Sequence, residues 1–207
     1  MTLFDSLFVI VIIIFSAVIH EVMHGVAADR LGDPTARYAG RLTLNPIPHL
    51  DPFGSILLPI ILALTNSPIF FGWAKPVPYN PYNLRPGRFS EAIVAGAGPA
   101  SNLGIALLFG LAIRSGVLTE LEPILFLVVV VNVMLFLFNL IPIPPLDGSK
   151  VLEALLPRSL QYGYVHWRAS MEHNPFFGMG LVVLIILFLG GSFGAFVYEI
   201  AASVAGV

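Results

Sequence analysis

The feature that most constrains this chain is a long apolar run that ends in a pair of histidines. Residues 4–19 are almost wholly apolar, and they lead directly into His20-Glu21-Val22-Met23-His24. A run of this length and composition predicts a helix that crosses a membrane. Ionisable side chains are costly at that depth, so by default they indicate a functional site.

The composition indicates that the rest of the chain also lies in or at the membrane. Of the 207 residues, 57% are hydrophobic and 11% are charged, whereas soluble domains carry about 25% charged residues. We therefore expect an integral protein of the lipid bilayer, folded as one domain over residues 1–207. The net charge of −2 and the lack of a basic stripe argue against a nucleic-acid partner. Because cysteine is absent, histidine and carboxylate side chains must bind any metal.

The apolar segments predict an all-α polytopic membrane protein with about four full transmembrane helices. A further segment, residues 55–64, is too short to span and contains Pro59, so we expect a re-entrant element or half-helix there and up to residue 71. The alternation over residues 38–44 predicts a short β-strand or hairpin arm. A short helix is expected over residues 149–156, followed by a polar stretch. The four spanning segments are residues 4–28, 92–113, 124–141 and 176–202. The first lacks the features of a cleaved signal peptide, and we expect it to be retained.

The histidine pair has the spacing of a zinc motif. Residues four apart lie on one face of a helix, so His20 and His24 can bind one Zn²⁺ while Glu21 serves as general base. The alternative is a pair of buried histidines satisfied by backbone carbonyls. Burial in an apolar span favours the metal.

A catalytic zinc ion needs a third protein ligand. Asp147 is the best candidate, because it follows an apolar run and is framed by prolines and Gly148. Its alternative role is to cap the helix that begins after it. His49 and Asp51 are weaker candidates that could orient a ligand by hydrogen bonding or be plain loop residues.

Two amides and one extended stretch are candidates for substrate contact. Asn102 and Asn139 could support the substrate or the oxyanion, or join helices to each other, which is the role we assign to Asn132. Residues 40–45 and 72–77 could offer a strand edge that holds a substrate extended. A surface hairpin is an equal alternative.

Orientation follows from two independent arguments. If Asp147 shares a metal with His20 and His24, the first and third spanning segments must cross in the same direction. The loops after the first segment, before the second and after the third then share one face. They carry every basic residue except Arg114, so the positive-inside rule makes that face cytoplasmic. These residues are Arg30, Arg37, Arg41, Lys75, Arg85, Arg88, Lys150, Arg158 and Arg168.

Three motifs together resemble the site-2 protease family of intramembrane zinc metalloproteases, peptidase family M50. They are HEVMH at 20–24, GPASN at 98–102 and NLIPIPPLDG at 139–148. The resemblance implies one Zn²⁺ bound by His20, His24 and Asp147, with Glu21 activating water. It also implies roles for Asn102 and Asn139 near the active site and a membrane-associated β-hairpin over 38–45. The PDZ and CBS domains of many relatives are not seen here.

We therefore expect a zinc metalloendopeptidase that cleaves within or near the transmembrane helix of a single-span membrane protein, in regulated intramembrane proteolysis. The expected location is a bacterial or archaeal cell membrane, with the amino terminus outside and the mouth of the active site toward the cytoplasm. The alternatives are a catalytically inactive family member and a membrane protein that binds or transports zinc. The oligomeric state and the substrate's identity are not predicted.

Overall fold

Four long apolar helices dominate the described part of the chain. The computed structural model describes residues 3–57, 60–61, 64–65 and 73–207. The stretches 8–30, 90–114, 119–139 and 180–205 are long and apolar enough to cross a membrane. They confirm the prediction of about four spanning segments. The corresponding helices are α1 (Leu3–Arg30), α3 (Ser90–Arg114), α4 (Glu122–Asn139) and α7 (Pro175–Ala205).

The chain divides into two compact units, residues 1–84 and 85–207. The first contains α1, the short helix α2 (Thr35–Tyr38), and helical turns at Ile47–His49, Pro52–Leu57 and Pro81–Asn83. α1 ends where Gly32 takes a positive φ of 107°, a conformation that favours glycine. The N–H of Asp33 then donates to the carbonyl of Ala28 at 2.9 Å. This bond satisfies one of the helix's last carbonyls and turns the chain away.

The predicted β-strand or hairpin over residues 38–45 is wrong. α2 ends at Tyr38, Gly40 has a φ of 66°, and no strand is present in this stretch, all of which is described. The N–H groups of Gly40 and Arg41 donate to Arg37 and Ala36 of the preceding turn. Local bonds thus use the donors that a strand ladder would need, and the alternating side chains do not form a sheet.

The predicted re-entrant element or half-helix over residues 55–71 falls largely outside the described residues. What is described begins with a π-helical turn, Pro52–Leu57. Residues 60, 61 and 64 are also helical. The re-entrant path stays a prediction.

The second unit is built on α3, α4 and α7. Its core consists of small and β-branched side chains: Ala106, Val129, Val133, Val197 and Ala201. At the carboxyl end of α3, the Arg114 guanidinium donates to the carbonyls of Ser203 and Val204 near the end of α7, so these two helices run in the same direction. A Cβ on Gly178, in the first turn of α7, would be 3.1 Å from the carbonyl oxygen of Pro144. α7 therefore begins near the chain that leaves α4, and α4 runs the opposite way.

Two shorter helices follow α4. α5 (Gly148–Leu155) matches the helix predicted over 149–156. α6 (Arg158–His173) occupies the stretch that we expected only to be polar. Arg168 supports α6 through ion pairs with Glu153 at 2.7 Å and with Glu172, one turn away, at 2.8 Å. Because its composition is polar, this helix does not stand out in the sequence as an apolar run.

Candidate metal centre

The two histidines of the motif meet on one face of α1. Their Nε2 atoms are 3.0 Å apart, and the rings are nearly perpendicular, with centroids separated by 4.6 Å. Two nitrogens bound to one tetrahedral zinc ion at about 2.0–2.1 Å would be roughly 3.3–3.4 Å apart. The imidazoles therefore need only a small adjustment to bind one ion, and the donor type suits zinc.

The helix environment explains how the histidines are held. His20 is buried, with 7% of its surface exposed, and His24 is half-buried. Gly25 follows directly, and a Cβ there would be 2.6 Å from a methyl carbon of Leu42 and 3.0 Å from one of Val77. Glycine at this position lets the chain after α2 and the segment around Val77 pack against α1 beside the motif.

Glu21 accepts a hydrogen bond from the backbone. Its Oε2 lies 2.8 Å from the N–H of Val77. Val77 belongs to the extended segment, defined as residues 73–80, which form neither a helix nor a strand. Pro76 and Pro78 flank it, and a residue that precedes proline is biased toward extended backbone. The sequence Lys75-Pro76-Val77-Pro78 therefore favours extended backbone.

Two further residues, His49 and Arg41, fasten the extended segment. The N–H of Lys75 donates to the carbonyl of His49 at 2.8 Å, and the Arg41 guanidinium donates to the carbonyl of Lys75 at 2.7 Å. Prolines provide no N–H, so no backbone donor remains at residues 75–78 for a substrate strand. This finding disfavours the idea that this part of the segment pairs with a substrate.

Asp33 fastens the far end of the same segment. Its carboxylate accepts the N–H of Asn80 at 2.6 Å, the Asn83 side-chain amide at 2.9 Å and the Thr35 hydroxyl at 2.5 Å. The side chain is fully buried. Burial by itself raises the pKa of the Asp33 carboxyl, but the hydrogen bonds outweigh burial and hold that pKa below its usual value.

His49 and Asp51 have local partners. The His49 ring is buried, with Nε2 3.0 Å from the carbonyl of Thr43. Asp51 accepts the N–H groups of Phe53 and Gly54 at 3.0 and 2.7 Å, so it caps the turn that begins at Pro52. The backbone carbonyl of His49 accepts the N–H of Lys75 in the extended segment. The contacts of both residues fit structural roles. That they orient a metal ligand stays a prediction.

Asp147 lies in the second unit, at the start of α5. It is the N-cap residue by position, but its side chain makes no capping hydrogen bond, which weakens the alternative that explained it as a cap. Gly148 is tightly enclosed, since a Cβ there would be 2.1 Å from the carbonyl oxygen of Leu140. The chain can therefore fold back on the end of α4 only with glycine next to Asp147.

The two candidate amides differ in their surroundings. Asn102 is fully buried, and its side-chain nitrogen donates to the side-chain oxygen of Asn132 at 2.9 Å. This contact joins α3 to α4, as the interhelical alternative required. Asn139 is half-buried at the end of α4 and donates to the carbonyl of Leu135, one turn back, at 2.9 Å. Because Asn139 is partly exposed and Asn102 is not, Asn139 is the better candidate for substrate contact, which stays a prediction.

Sequence reasoning missed Val77 and Arg41. The signal for Val77 was present: two prolines leave a single N–H among residues 76–78. Nothing in the sequence separated Arg41 from the other loop arginines, since only the fold shows that it is buried.

Comparison with known proteins places the chain in a family. The model described as "Peptidase family M50" matches residues 112–165, which include the NLIPIPPLDG motif. A Bacillus subtilis (strain 168) protein named "Putative zinc metalloprotease YwhC" is 36% identical over 192 residues, which cover 88% of this chain and 80% of that protein. The chain belongs to peptidase family M50.

Other M50 relatives agree. A protein of Mycobacterium tuberculosis (strain H37Rv) named "Putative zinc metalloprotease Rip2" is 31% identical over 192 residues, which cover 90% of this chain and 69% of the relative. A Mycolicibacterium smegmatis protein of the same name is 31% identical over 144 residues, covering 68% and 54%. No solved structure matches the chain. With its four apolar helices, this M50 member is a membrane zinc metalloprotease, and its cofactor is Zn²⁺.

Proposed function

We propose that the chain is an intramembrane zinc metalloendopeptidase that hydrolyses a peptide bond within or near the transmembrane segment of a single-span membrane protein, in regulated intramembrane proteolysis. The observation that carries the proposal is the pair of imidazole nitrogens 3.0 Å apart on α1, inside a stretch apolar enough to span a membrane. A hydrolytic motif at that place in the chain favours substrates that are themselves in the bilayer.

In this proposal His20, His24 and Asp147 bind one Zn²⁺. Two imidazoles and a carboxylate form a donor set that zinc commonly takes in hydrolases, with a further position left for water or substrate. Asp147 is supported by its sequence setting and by its lack of a capping bond. The aspartate also lies within the segment that matches the M50 family.

Glu21 is the proposed general base. When bound, the zinc ion would supply Lewis acidity toward the substrate carbonyl and the attacking water. Glu21 would accept the water proton and deliver it to the leaving amine, so one carboxylate serves both halves of the reaction. Asn139 is proposed to support the substrate near the scissile carbonyl, and Asn102 to shape the site through its bond to Asn132.

We also propose a cell-membrane location with the amino terminus outside and the mouth of the site toward the cytoplasm. The distribution of basic residues supports this orientation. The bacterial origin of the relatives is consistent with a bacterial cell membrane.

The test compares Glu21→Gln with the wild-type protein, purified in detergent and supplied with a helix-destabilised single-span peptide. Glu21→Gln should retain bound zinc and lose cleavage, because the amide cannot accept the proton. Asp147→Ala should lose zinc as well. Glu120→Gln, in the loop before α4, is the matched control and should cleave normally. Cleavage at the wild-type rate by Glu21→Gln would contradict the assignment of Glu21 as general base. Zinc binding without cleavage by the wild-type protein would favour a catalytically inactive family member or a zinc transporter.

A further inference from the structure

The contacts of Arg41 extend to the general base through a single peptide segment. Arg41 is buried, with 6% of its surface exposed. One guanidinium nitrogen lies 2.7 Å from the carbonyl oxygen of Lys75 and 3.4 Å from that of Pro76. A buried cation needs partners, and here the partners are backbone carbonyls of the extended segment.

The next group along this backbone is the donor to Glu21. The carbonyl of Pro76 and the N–H of Val77 belong to one planar peptide unit, so orienting the carbonyl orients the N–H. Arg41 lies on the carbonyl side, and Glu21 accepts the N–H at 2.8 Å on the other. The peptide dipole thus has a cation at its negative end and a carboxylate at its positive end.

The composition of the segment isolates this donor. Pro76 and Pro78 have no N–H, and the N–H of Lys75 is used by the carbonyl of His49. Val77 is itself buried, with 6% of its surface exposed. The segment therefore presents one hydrogen-bond donor to Glu21 and cannot offer another by slipping one residue.

We propose that Arg41 is a positioning residue for the general base, acting through the 75–77 backbone to keep the Val77 N–H on Glu21. The proposal rests on the function given above for Glu21, but its geometry can be tested without catalysis. Arg41 contacts neither substrate nor metal in this proposal. Its role is to hold the carboxylate in one orientation, and misplacing a catalytic group by about 1 Å can cost on the order of 100-fold in rate.

The sequence provides a direct probe of this bond. Pro76-Val77 is the only proline–valine pair in the chain. Labelling proline with ¹³C at the carbonyl and valine with ¹⁵N should therefore give one HNCO peak, that of the Val77 amide. In the wild-type protein in detergent, this amide proton should resonate downfield, because it donates to a carboxylate. Glu21→Gln should move the peak upfield.

The decisive variant is Arg41→Met, which keeps an unbranched apolar side chain and removes the guanidinium donors. It should shift the Val77 peak and lower kcat for the single-span peptide about 10- to 100-fold, with KM within about 2-fold and zinc content unchanged. Arg41→Lys should give a smaller peak shift and a smaller loss of kcat than Arg41→Met, since one ammonium donor can reach the Lys75 carbonyl. Arg37→Met removes an exposed cation of α2 that is paired with Asp29, and it should change neither readout.

Should Arg41→Met fail to fold, Val77→Pro provides the second comparison. It removes the N–H but keeps an apolar residue compatible with extended backbone, and Val77→Ala is its control because it keeps the N–H. Val77→Pro should lower kcat well below that of Val77→Ala, because only the alanine variant retains the N–H that Glu21 accepts. An unmoved Val77 peak and an unchanged kcat in folded Arg41→Met would overturn the proposal. Absence of cleavage by the wild-type protein would instead count against the proposed function, while the peak would still decide whether Arg41 holds the Val77 amide.

Discussion

At the scale of the residue, two carboxylates in the first unit accept backbone N–H groups of the extended segment. Glu21 accepts that of Val77, and Asp33 accepts that of Asn80. Both donors belong to the extended segment 73–80, so the two carboxylates fix it at two points three residues apart. Bonds to a charged acceptor contribute about 1.5–3 kcal/mol each, more than a neutral pair.

Asp33 should make the stability of the protein depend on pH in the acidic range. Its folded pKa lies below the usual value, and the unfolded value is about 3.9. The stabilisation is therefore fully present above about pH 4–5 and is lost as the pH falls through the folded pKa. Asp33→Asn should lower the thermal midpoint at pH 7, by an amount corresponding to about 2 kcal/mol, and the difference from wild type should shrink toward pH 3.

The measurement is thermal unfolding in detergent, followed by circular dichroism at pH 7 and at pH 3. Asp29→Asn is the matched control, because Asp29 pairs with the exposed Arg37 and a surface ion pair contributes little. A deficit in Asp33→Asn that is the same at both pH values would contradict the electrostatic explanation and leave only a packing effect.

How much of the candidate site was predictable varies residue by residue. Helix periodicity alone predicted that His20 and His24 share a face, because their separation is local. The pairing of Asn102 was foreseen only as one of two alternatives. The donor to Glu21 lies 56 residues away, and periodicity carries no information about a contact at that distance.

At the scale of the element, the turn from α4 into α5 depends on Gly148. A Cβ at this position would lie within 2.6 Å of backbone atoms of Leu140 and Ile141, and backbone cannot yield as a flexible side chain can. Gly148→Ala should therefore displace the start of α5 and with it Asp147.

The expected result for Gly148→Ala is loss of bound zinc together with a lower thermal midpoint. Metal analysis of the purified variant is the measurement. The control is Gly163→Ala in α6, where a Cβ meets nothing within 4 Å. An open helical site should accept alanine with neutral or slightly stabilising effect, up to about 1 kcal/mol. Wild-type zinc content in Gly148→Ala would argue that Asp147 is not a ligand.

The elements themselves were largely predictable where burial in lipid sets the pattern. The spanning segments agree with α1, α3, α4 and α7 to within a few residues, since a run of about 20 apolar residues has few other solutions. The errors lie outside the apolar runs. Residues 38–45 alternate like a strand, but the N–H groups of residues 38–41 bond to carbonyls of the preceding turn. α6 is stabilised by ion pairs that hydropathy does not register.

At the scale of the whole molecule, the proposed orientation can be tested because the chain has no cysteine. Single cysteines placed at Val117, between α3 and α4, and at Ala169, on α6, should report opposite faces. Both side chains are exposed. In intact cells a membrane-impermeant maleimide should label Val117→Cys and not Ala169→Cys, and in inverted vesicles the pattern should reverse. Labelling of Ala169→Cys from outside intact cells would invert the proposed topology.

The buried amide pair between α3 and α4 has a consequence for how the chain enters the membrane during synthesis. Either helix alone would carry an amide into hydrocarbon without its partner, at a cost. In the folded pair, the Asn102 amide donates to the Asn132 oxygen at 2.9 Å, and only residues 115–121 separate the helices. Partition into lipid is therefore more favourable for α3 and α4 together, as a helical hairpin, than for either helix alone.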